Sequence, residues 1–464
     1  YIYPGFYDAH AHFHSYGLNL QRVDLRGTKS FDEVIAKIVA FQKEHNLDYI
    51  HGRGWDQNDW VVKEFPNKEQ LDKLFPNTPV AITRIDGHAL LANSKALQMA
   101  GITAKTKIEG GEIELKNGQL TGILIDNPME LVYNSIPKPS KEIQIKALQD
   151  AEKVMFDYGL TTINEAGLER ETIDLISELQ EENKLDINIY AMVMASKENV
   201  DYYTQLGIYK TDKLNVRSFK FMGDGALGSR GACLHKEYSD KPKHFGALLS
   251  PIKDIRAIAQ QIADSEFQMN THAIGDSTNS VLLKIYKDVL AGKQDRRWKI
   301  EHAQIMQEQD FEYFKLGIIP SVQPTHATSD MYWAQDRVGK ERLKNSYAYK
   351  KILKSAGMIA LGTDFPIEEV NPMYTFYAAV ARKDLKNYPE GGFQPENALT
   401  REETMKGMTI WAAYSNFEEN EKGSLEPGKW ADFTIFDTDI MTMAIDKVPY
   451  VKPVNTFIKG KQVK

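Results

Sequence analysis

The chain has 464 residues, 42% of them hydrophobic, which suits one large α/β domain with additions rather than a single small core. Its net charge is −7 at pH 7 and no basic run stands out, so nucleic acid is not an expected partner. No apolar stretch reaches the roughly 18 residues needed to cross a bilayer, so no membrane partner is expected, and the single Cys233 excludes an intramolecular disulfide and thiolate metal clusters.

The chain begins at Tyr1 rather than at a methionine and opens almost directly on a histidine-rich motif. We therefore expect an N-terminal segment to precede it, and any signal peptide would lie in that segment. Localisation stays open on these grounds, although a single cysteine is compatible with the cytoplasm.

The first predicted strand covers residues 6–12 and runs into a histidine pair. A capping-box pattern, Ser30-Phe31-Asp32-Glu33, then predicts a helix that continues to about Phe41. Residues 46–140 lose the simple alternation of strand and helix and carry several glycines and prolines. We interpret them as an inserted subdomain with small strands, folded over one end of the main domain.

The alternation of strand and helix resumes after Ser140. Helical patterns cover about 141–158 and 169–183, and further helical patterns separate most of the strands that follow. With residues 6–12 as the first, eight strands are predicted, the other seven at 160–166, 187–193, 216–222, 267–271, 298–301, 318–323 and 358–362. Parallel strands separated by helices in this number predict an α/β fold, a TIM-type (β/α)8 barrel.

The sequence pattern changes at Gly423, where short β-prone runs alternate with turn residues. Residues 423–464 are therefore predicted to form part of a small β-sandwich-like domain. Its other strands would come from the segment that we expect before Tyr1. The predicted organisation is a barrel domain over 1–422, interrupted by the insertion at about 46–140, followed by the partial β domain.

Four histidines and one aspartate stand at the ends of predicted strands, where a barrel of parallel strands places its site. His10 and His12 are two residues apart, so on a strand both side chains point to the same face. His272, His302 and Asp364 follow at the ends of later strands, in barrel order. One histidine in such a place is more often structural, but the joint pattern of imidazoles and a carboxylate predicts a site for a divalent metal ion.

Lys220 lies on the predicted strand 216–222 and would point into the same cluster. The ordinary interpretation is an exposed lysine on a strand. Burial near cations lowers the pKa of a lysine, however, and a neutral amine can take up carbon dioxide to form a carbamate. Such a carbamate would be an anionic ligand able to bridge two metal ions.

The order of these residues resembles the amidohydrolase superfamily, which has His-X-His on strand one, Lys on strand four, His on strands five and six, and Asp on strand eight. Other phrases are similar to the branch called amidohydrolase family three, which includes N-substituted formamide deformylases. Members normally carry a β-rich segment before the histidine pair, which is absent here. The resemblance covers nearly the whole chain and rests on Pro4-Gly5-Phe6, Gly52-Arg53-Gly54-Trp55, Asp86-Gly87-His88-Ala89, Gly122-Ile123-Leu124, Asp224-Gly225-Ala226-Leu227-Gly228-Ser229-Arg230, Thr271-His272-Ala273-Ile274-Gly275-Asp276, Glu301-His302-Ala303-Gln304 and Gly362-Thr363-Asp364-Phe365-Pro366.

The resemblance implies a binuclear site of two divalent metal ions, with zinc as the expected metal. A carbamylated Lys220 and a metal-activated hydroxide would bridge the ions. Asp364 would take the proton of the attacking hydroxide and return it to the leaving amine, which makes Asp364 and Lys220 the predicted catalytic residues. By the same resemblance, the more buried ion would be held by His10, His12 and Asp364, and the more exposed ion by His272 and His302.

Five further residues are predicted to contact the substrate, each against a structural interpretation: His88, Asp224, Arg230, His326 and Trp55. His88 lies in the insertion, which can reach the barrel mouth, but it could also be a turn residue. Asp224 and Arg230 follow the strand of Lys220 in a loop that can carry function, although an ion pair pinning that loop would fit as well. His326 follows the seventh strand and suits substrate binding more than metal binding. Trp55 could wall an apolar pocket or belong to a core.

The predicted function is a metal-dependent hydrolase that cleaves a C–N bond, of the amide or N-formyl type, in a small-molecule substrate. Three alternatives stay open. The same metal pair could hydrolyse an ester, a lactone or a phosphoester; the barrel could be a non-catalytic binding module; or Lys220 could be unmodified in a mononuclear enzyme. A homo-oligomer is compatible with the sequence.

Overall fold

The computed structural model describes residues 1–84, 87, 89–108 and 111–464. The chain divides into two compact units, one made of Tyr1–Tyr16 with Leu148–Lys464 and the other of Gly17–Ala147. The second unit includes more of the chain than the insertion predicted at 46–140. It includes the helix that follows Ser30, which the sequence pattern had assigned to the barrel.

The first unit contains the predicted barrel of eight parallel strands. These strands are Phe6–Ala11, Leu160–Leu168, Asn188–Met194, Leu214–Met222, Gln268–Ala273, Lys299–His302, Ile319–Val322 and Ala360–Leu361. Each pairs in parallel with the next in this order. Between the last and the first strands, Asp364 donates its backbone N–H to the carbonyl of His10 (2.8 Å), so the barrel is nearly closed.

Amphipathic helices separate the barrel strands. Helix Arg170–Glu181 buries Ile173, Ile176 and Leu179, whose spacing of three residues keeps them on one face of the helix. Helix Arg401–Gly407 begins at the predicted capping box of Thr400 and Glu403. From residue 141 onward the helices, including three 3₁₀ segments, are Lys141–Asp157, Arg170–Glu181, Lys197–Leu206, Ile252–Ala263, Asp276–Val289, Glu308–Leu316, Pro324–Asp330, Ala334–Leu343, Tyr349–Ala356, Pro372–Ala381, Pro395–Asn397, Arg401–Gly407, Ile410–Ser415 and Ile445–Tyr450.

A small antiparallel sheet accompanies the barrel in the same compact unit. Its strands are, in order, Ile2–Pro4, Phe433–Ile435, Asn455–Ile458 and Lys461–Gln462. The sequence pattern predicted the three later strands as part of a β domain, and Ile2–Pro4, which was not predicted, joins their sheet by pairing with Phe433–Ile435. After Gly5, which donates its backbone N–H to the carbonyl of Asp432 (2.9 Å), the chain passes directly into the first barrel strand.

The second unit has its own sheet and core. The strands run in the order Val23–Asp24, Ile50–Trp55, Val80–Arg84, Ala89–Ala92, Gln119–Asp126 and Gly111–Lys116, parallel among the first three and antiparallel thereafter. The predicted helix is present as Phe31–His45, and the Ser30 side chain accepts the backbone N–H of Glu33 (3.2 Å). Other helical segments are Phe13–Leu20, which begins before this unit, Gln57–Asp59, Glu69–Leu74, Ser94–Met99 and Met129–Ser135.

Across the described part of the chain, none of the helices combines the length and the apolar character that a bilayer crossing requires.

Candidate metal centre

The predicted metal ligands converge at one end of the barrel, because parallel strands present their carboxyl ends together. His10 stands at the end of the first strand and Lys220 near the end of the fourth, with 3.0 Å between His10 Nε2 and Lys220 Nζ. Asp364 follows the last strand, and its Oδ1 lies 3.3 Å from His12 Nε2 and 3.7 Å from His10 Nε2. These four side chains therefore meet around one point.

The remaining two predicted ligands complete the cluster. The rings of His272 and His302 lie 4.5 Å apart, centroid to centroid, and the ring of His302 lies 4.8 Å from that of His10. His326, predicted as a substrate contact, belongs to the same cluster, since its Nε2 lies 3.5 Å from Asp364 Oδ2. Among the residues that the structure describes, two groups of three have ligand atoms within 4.8 Å of one another: His10, His12 and Asp364, and His302, His326 and Asp364.

The donor set fits a divalent metal ion. Within the described residues, His272 Nε2 and Asp364 Oδ1 are buried without a hydrogen-bond partner. Leaving buried polar atoms unpaired is costly, so such atoms require an explanation, and an ion is the usual one where several imidazoles and a carboxylate meet. The residues present here are therefore able to hold a metal.

Burial sets the protonation of these groups. It lowers the pKa of His272 to about 4 and lowers those of His10 and His302 well below the usual value. The three imidazoles are thus neutral at pH 7 and have lone pairs to donate. Burial acts to raise the pKa of Asp364, but the neighbouring His12, whose Nε2 lies 3.3 Å from Oδ1, holds it below its usual range, so Asp364 is ionised.

Lys220 is only 2% exposed, so the interpretation of it as an exposed strand lysine is wrong. Burial lowers the pKa of its amine, while the carboxylates of Glu301, Asp364 and Glu165 act in the opposite direction. A buried amine with a lowered pKa, in contact with a histidine of the cluster, is the environment in which a lysine loses its proton most readily.

Two of the predicted ligands have an unfavourable backbone conformation. Both His302 (φ 73°) and Asp364 (φ 64°) adopt the left-handed region, which residues other than glycine rarely occupy and which clusters at functional sites. Gly362 permits the close approach of the last strand to the first, because a Cβ there would lie 2.5 Å from the backbone nitrogen of His10. The turn after the last strand is therefore shaped to bring Asp364 against the histidine pair.

A second layer of side chains orients the ligands, and sequence reasoning missed it. Glu301 Oε2 lies 2.6 Å from His10 Nδ1, and Gln323 Oε1 lies 2.7 Å from His302 Nδ1. With an oxygen at each Nδ1, both imidazoles carry their proton there and turn the Nε2 lone pair towards the cluster. Glu301 stands in the phrase Glu301-His302-Ala303-Gln304, which supports the family resemblance but does not by itself indicate a contact with His10.

Two buried carboxylates brace the first strand. Asp8 accepts the backbone N–H (2.9 Å) and the hydroxyl (2.6 Å) of Thr363, and burial raises its pKa to about 7 although these bonds act against the shift. Glu165 accepts the backbone N–H groups of Phe13 and His14 just after His12, and burial raises its pKa to about 7 as well. Neither residue was predicted to have a role at the site.

Asp224, one of the predicted substrate contacts, ties two loops together. It is fully buried and accepts the backbone N–H groups of Cys233, Ile274 and Gly275 and the hydroxyl of Thr278, at 2.7–3.0 Å. Its Oδ1 also lies 3.6 Å from His272 Nε2. Its contacts thus favour the competing interpretation, a residue that pins the loop.

Arg230 and Trp55 also follow their competing interpretations. Arg230 forms an ion pair with Asp240 (2.7 Å), which favours the competing interpretation that it pins its loop. Trp55 is completely buried in the core of the second unit, where its indole N–H donates to the carbonyl of Ile82 (2.9 Å) and its ring lies 6.0 Å from that of Trp60. It is a core residue rather than a pocket wall. His88 lies outside the described residues.

Known proteins are similar to this chain along most of its length. A profile described as the amidohydrolase family matches residues 1–464. Protein LONG AFTER FAR-RED 3 of Arabidopsis thaliana is 32% identical over 483 residues, which cover 100% of this chain and 82% of that protein. N-substituted formamide deformylase of Arthrobacter pascens is 23% identical over 484 residues, which cover 99% of this chain and 87% of that protein. The crystal structure of an uncharacterized metal-dependent hydrolase from Pyrococcus horikoshii OT3 matches with a TM-score of 0.80 and 28% identity, covering 96% of this chain and 87% of that one.

Proposed function

This chain belongs to the amidohydrolase family and is a metal-dependent hydrolase of that superfamily, and we propose that it cleaves a C–N bond of the amide or N-formyl type. The observation that carries the proposal is the convergence of the four predicted histidine ligands with the ionised Asp364. The choice of bond is supported by the similarity, along 99% of the chain, to a protein named as a deformylase of N-substituted formamides.

We further propose a site of two zinc ions. When bound, such ions lower the pKa of water and polarise a carbonyl group. The chain would hold them through His10, His12, His272, His302 and Asp364, and Lys220, as a carbamate, would supply a further anionic ligand. The burial of Lys220 and its 3.0 Å contact with His10 Nε2 support that role.

The chain's own part in the reaction is proton transfer and orientation. Asp364, which is ionised beside His12, takes the proton of the attacking water and later delivers it to the nitrogen of the leaving amine. A C–O bond forms and the C–N bond breaks. The products are a carboxylic acid and an amine, which exchange the second proton of the water to become a carboxylate and an ammonium ion near neutral pH. Glu301 and Gln323 keep the rings of His10 and His302 in the orientation that this arrangement requires.

A matched pair of substrates tests the bond that is cleaved. N-benzylformamide and benzyl formate share the formyl and benzyl groups and differ only in the atom that leaves. We expect zinc-loaded protein to accelerate hydrolysis of the amide, relative to its uncatalysed rate, more than that of the ester. Greater acceleration of the ester, or activity only on a phosphoester such as p-nitrophenyl phosphate, would replace the C–N proposal with one of its alternatives.

Metal analysis tests the site separately from the substrate. We expect about two zinc ions per chain after loading and dialysis, as the donor set allows. About one ion per chain would favour a mononuclear enzyme with unmodified Lys220. Full loading without turnover of any amide, ester or phosphoester would favour a non-catalytic barrel.

A further inference from the structure

Two glutamines contact two histidines of the cluster in opposite ways. Gln323 presents its carbonyl oxygen to His302, with 2.7 Å between Oε1 and Nδ1. Gln304 presents its amide nitrogen to His326, with 3.1 Å between Nε2 and Nδ1. All four side chains are buried, so these contacts are shielded from water.

The two contacts select different tautomers. A neutral imidazole has one N–H and one lone pair. His302 donates its Nδ1–H to Gln323, which leaves the lone pair on Nε2, as a metal ligand needs. His326 accepts at Nδ1 from Gln304, which places its proton on Nε2, and an N–H cannot coordinate a metal ion.

The position of His326 supports the same assignment. Its Nε2 lies 3.5 Å from the carboxylate oxygen Oδ2 of Asp364, and an anion at that distance favours a hydrogen rather than a lone pair facing it. Nε2 is nevertheless buried without a hydrogen-bond partner among the described residues, and the residue is 7% exposed. A buried donor left unpaired inside the cluster is a position that a substrate acceptor can fill.

We propose that His326 is a catalytic hydrogen-bond donor to the carbonyl oxygen of the substrate. Its Nε2–H stabilises the negative charge that develops on that oxygen during attack, and the proton stays on Nε2 throughout. Gln304 is a positioning residue that keeps the proton there. The proposal rests on the proposed function, since it requires a substrate whose reacting carbon carries a carbonyl oxygen.

The Gln304 contact also explains the motif Glu301-His302-Ala303-Gln304. Ala303 adopts the left-handed region (φ 43°), which turns the chain between His302 and Gln304. Three consecutive positions therefore bring a ligand, a turn and a positioning residue to the same site. In the contrary arrangement the Gln304 amide is reversed, so that its Oε1 faces Nδ1 of His326. The proton of His326 would then lie on Nδ1, and its Nε2 could be a third metal ligand beside His302 and Asp364.

Nuclear magnetic resonance of zinc-loaded protein with ¹⁵N-labelled histidine distinguishes the two arrangements without any substrate. The His326 signals are assigned by their loss in the variants His326→Asn and His326→Gln. We expect the Nε2–H tautomer in the wild type. In Gln304→Glu the carboxylate can only accept, so we expect the proton to move to Nδ1. An Nδ1–H tautomer with a metal-shifted Nε2 in the wild type would overturn the proposal.

Substitution then tests the role in catalysis. Asn at 326 has no donor near the place of Nε2, whereas the amide of Gln reaches close to it. We expect both variants to keep the wild-type zinc content, His326→Asn to lose about 10²–10³-fold in kcat, and His326→Gln to lose less. Loss of one zinc ion in His326→Asn, or unchanged kcat, would overturn the proposal.

The two proposals can fail independently. If the wild type prefers benzyl formate to N-benzylformamide, the C–N assignment fails, but the comparison of the two His326 variants on the ester still tests the donor. If wild-type protein hydrolyses neither, the proposed function fails, and the resonance experiment still decides the tautomer of His326.

Discussion

Removing the charge of Glu301 should weaken metal binding without removing a ligand. Glu301 Oε2 accepts the Nδ1–H of His10 at 2.6 Å, and both side chains are completely buried. A carboxylate in this position fixes the ring and makes the opposite nitrogen more basic. Glu301→Gln retains an acceptor oxygen but loses the charge, whereas Glu301→Ala also leaves His10 Nδ1–H unpaired.

The size of the effect follows from that difference. Loss of a group that orients a metal ligand costs about 10–100-fold in metal affinity, equivalent to about 1.4–2.7 kcal/mol. Since the hydrogen bond survives in Glu301→Gln, we expect about a tenfold loss there, at the lower end of this range. We expect about a hundredfold loss in Glu301→Ala, where charge and bond are both lost.

Competition against a chromophoric chelator at fixed pH measures the zinc affinity of each variant. A matched control is Glu418→Gln, because Glu418 is equally buried but is bonded to Tyr7, Asn215 and Lys422 rather than to a metal ligand. It should reduce thermal stability and leave zinc affinity unchanged. Equal affinities for wild type, Glu301→Gln and Glu301→Ala would refute the role of Glu301.

Three further outcomes are expected. Asp364→Asn removes the proton acceptor at nearly constant size, so kcat should fall by at least about 10²–10⁴-fold with the circular dichroism spectrum unchanged; near-wild-type turnover in zinc-loaded variant would end its role. Lys220→Met cannot form a carbamate, so zinc content should fall below that of the wild type by elemental analysis, and retention of all the zinc would remove Lys220 as a ligand. Glu152 accepts the backbone N–H of Asp186 (2.9 Å) and burial raises its pKa to about 7 from 4.5, so the folded state holds a proton that the unfolded chain has released, and stability falls as pH rises between those values. Glu152→Gln should therefore gain Tm over wild type at about pH 8 more than at about pH 5, and a gain independent of pH would contradict the shift.

The barrel could be predicted because buried parallel strands are short apolar runs whose ends carry polar side chains. All eight strands were recognised in this way, and both the fold and the family are confirmed. The helices after Ser30 and Thr400 were found from capping residues, which act through bonds only three positions apart. Local patterns are thus sufficient where the determining interaction is itself local.

Interactions between distant positions could not be predicted from such patterns. Glu301 and His10 are 291 residues apart, so no short motif indicates that they meet. Ile2–Pro4 has three residues, too few to show a strand period, and its partner strand lies near the other end of the chain. Trp55 has the same apolar character in a pocket wall as in a core, and only the packing distinguishes the two.

The strand Ile2–Pro4 connects the small sheet directly to the candidate metal centre. It pairs with Phe433–Ile435 and, after Gly5, the chain continues as the strand that carries His10 and leads directly into His12. Deleting the C-terminal strands from the expressed protein would remove the pairing partner of Ile2–Pro4, just ahead of that histidine pair. We therefore expect the truncated protein to bind less zinc. For the same reason, recombination that exchanged the C-terminal strands alone between homologues would have to preserve the pairing with Ile2–Pro4, so the coding regions of these two segments are constrained to be inherited together.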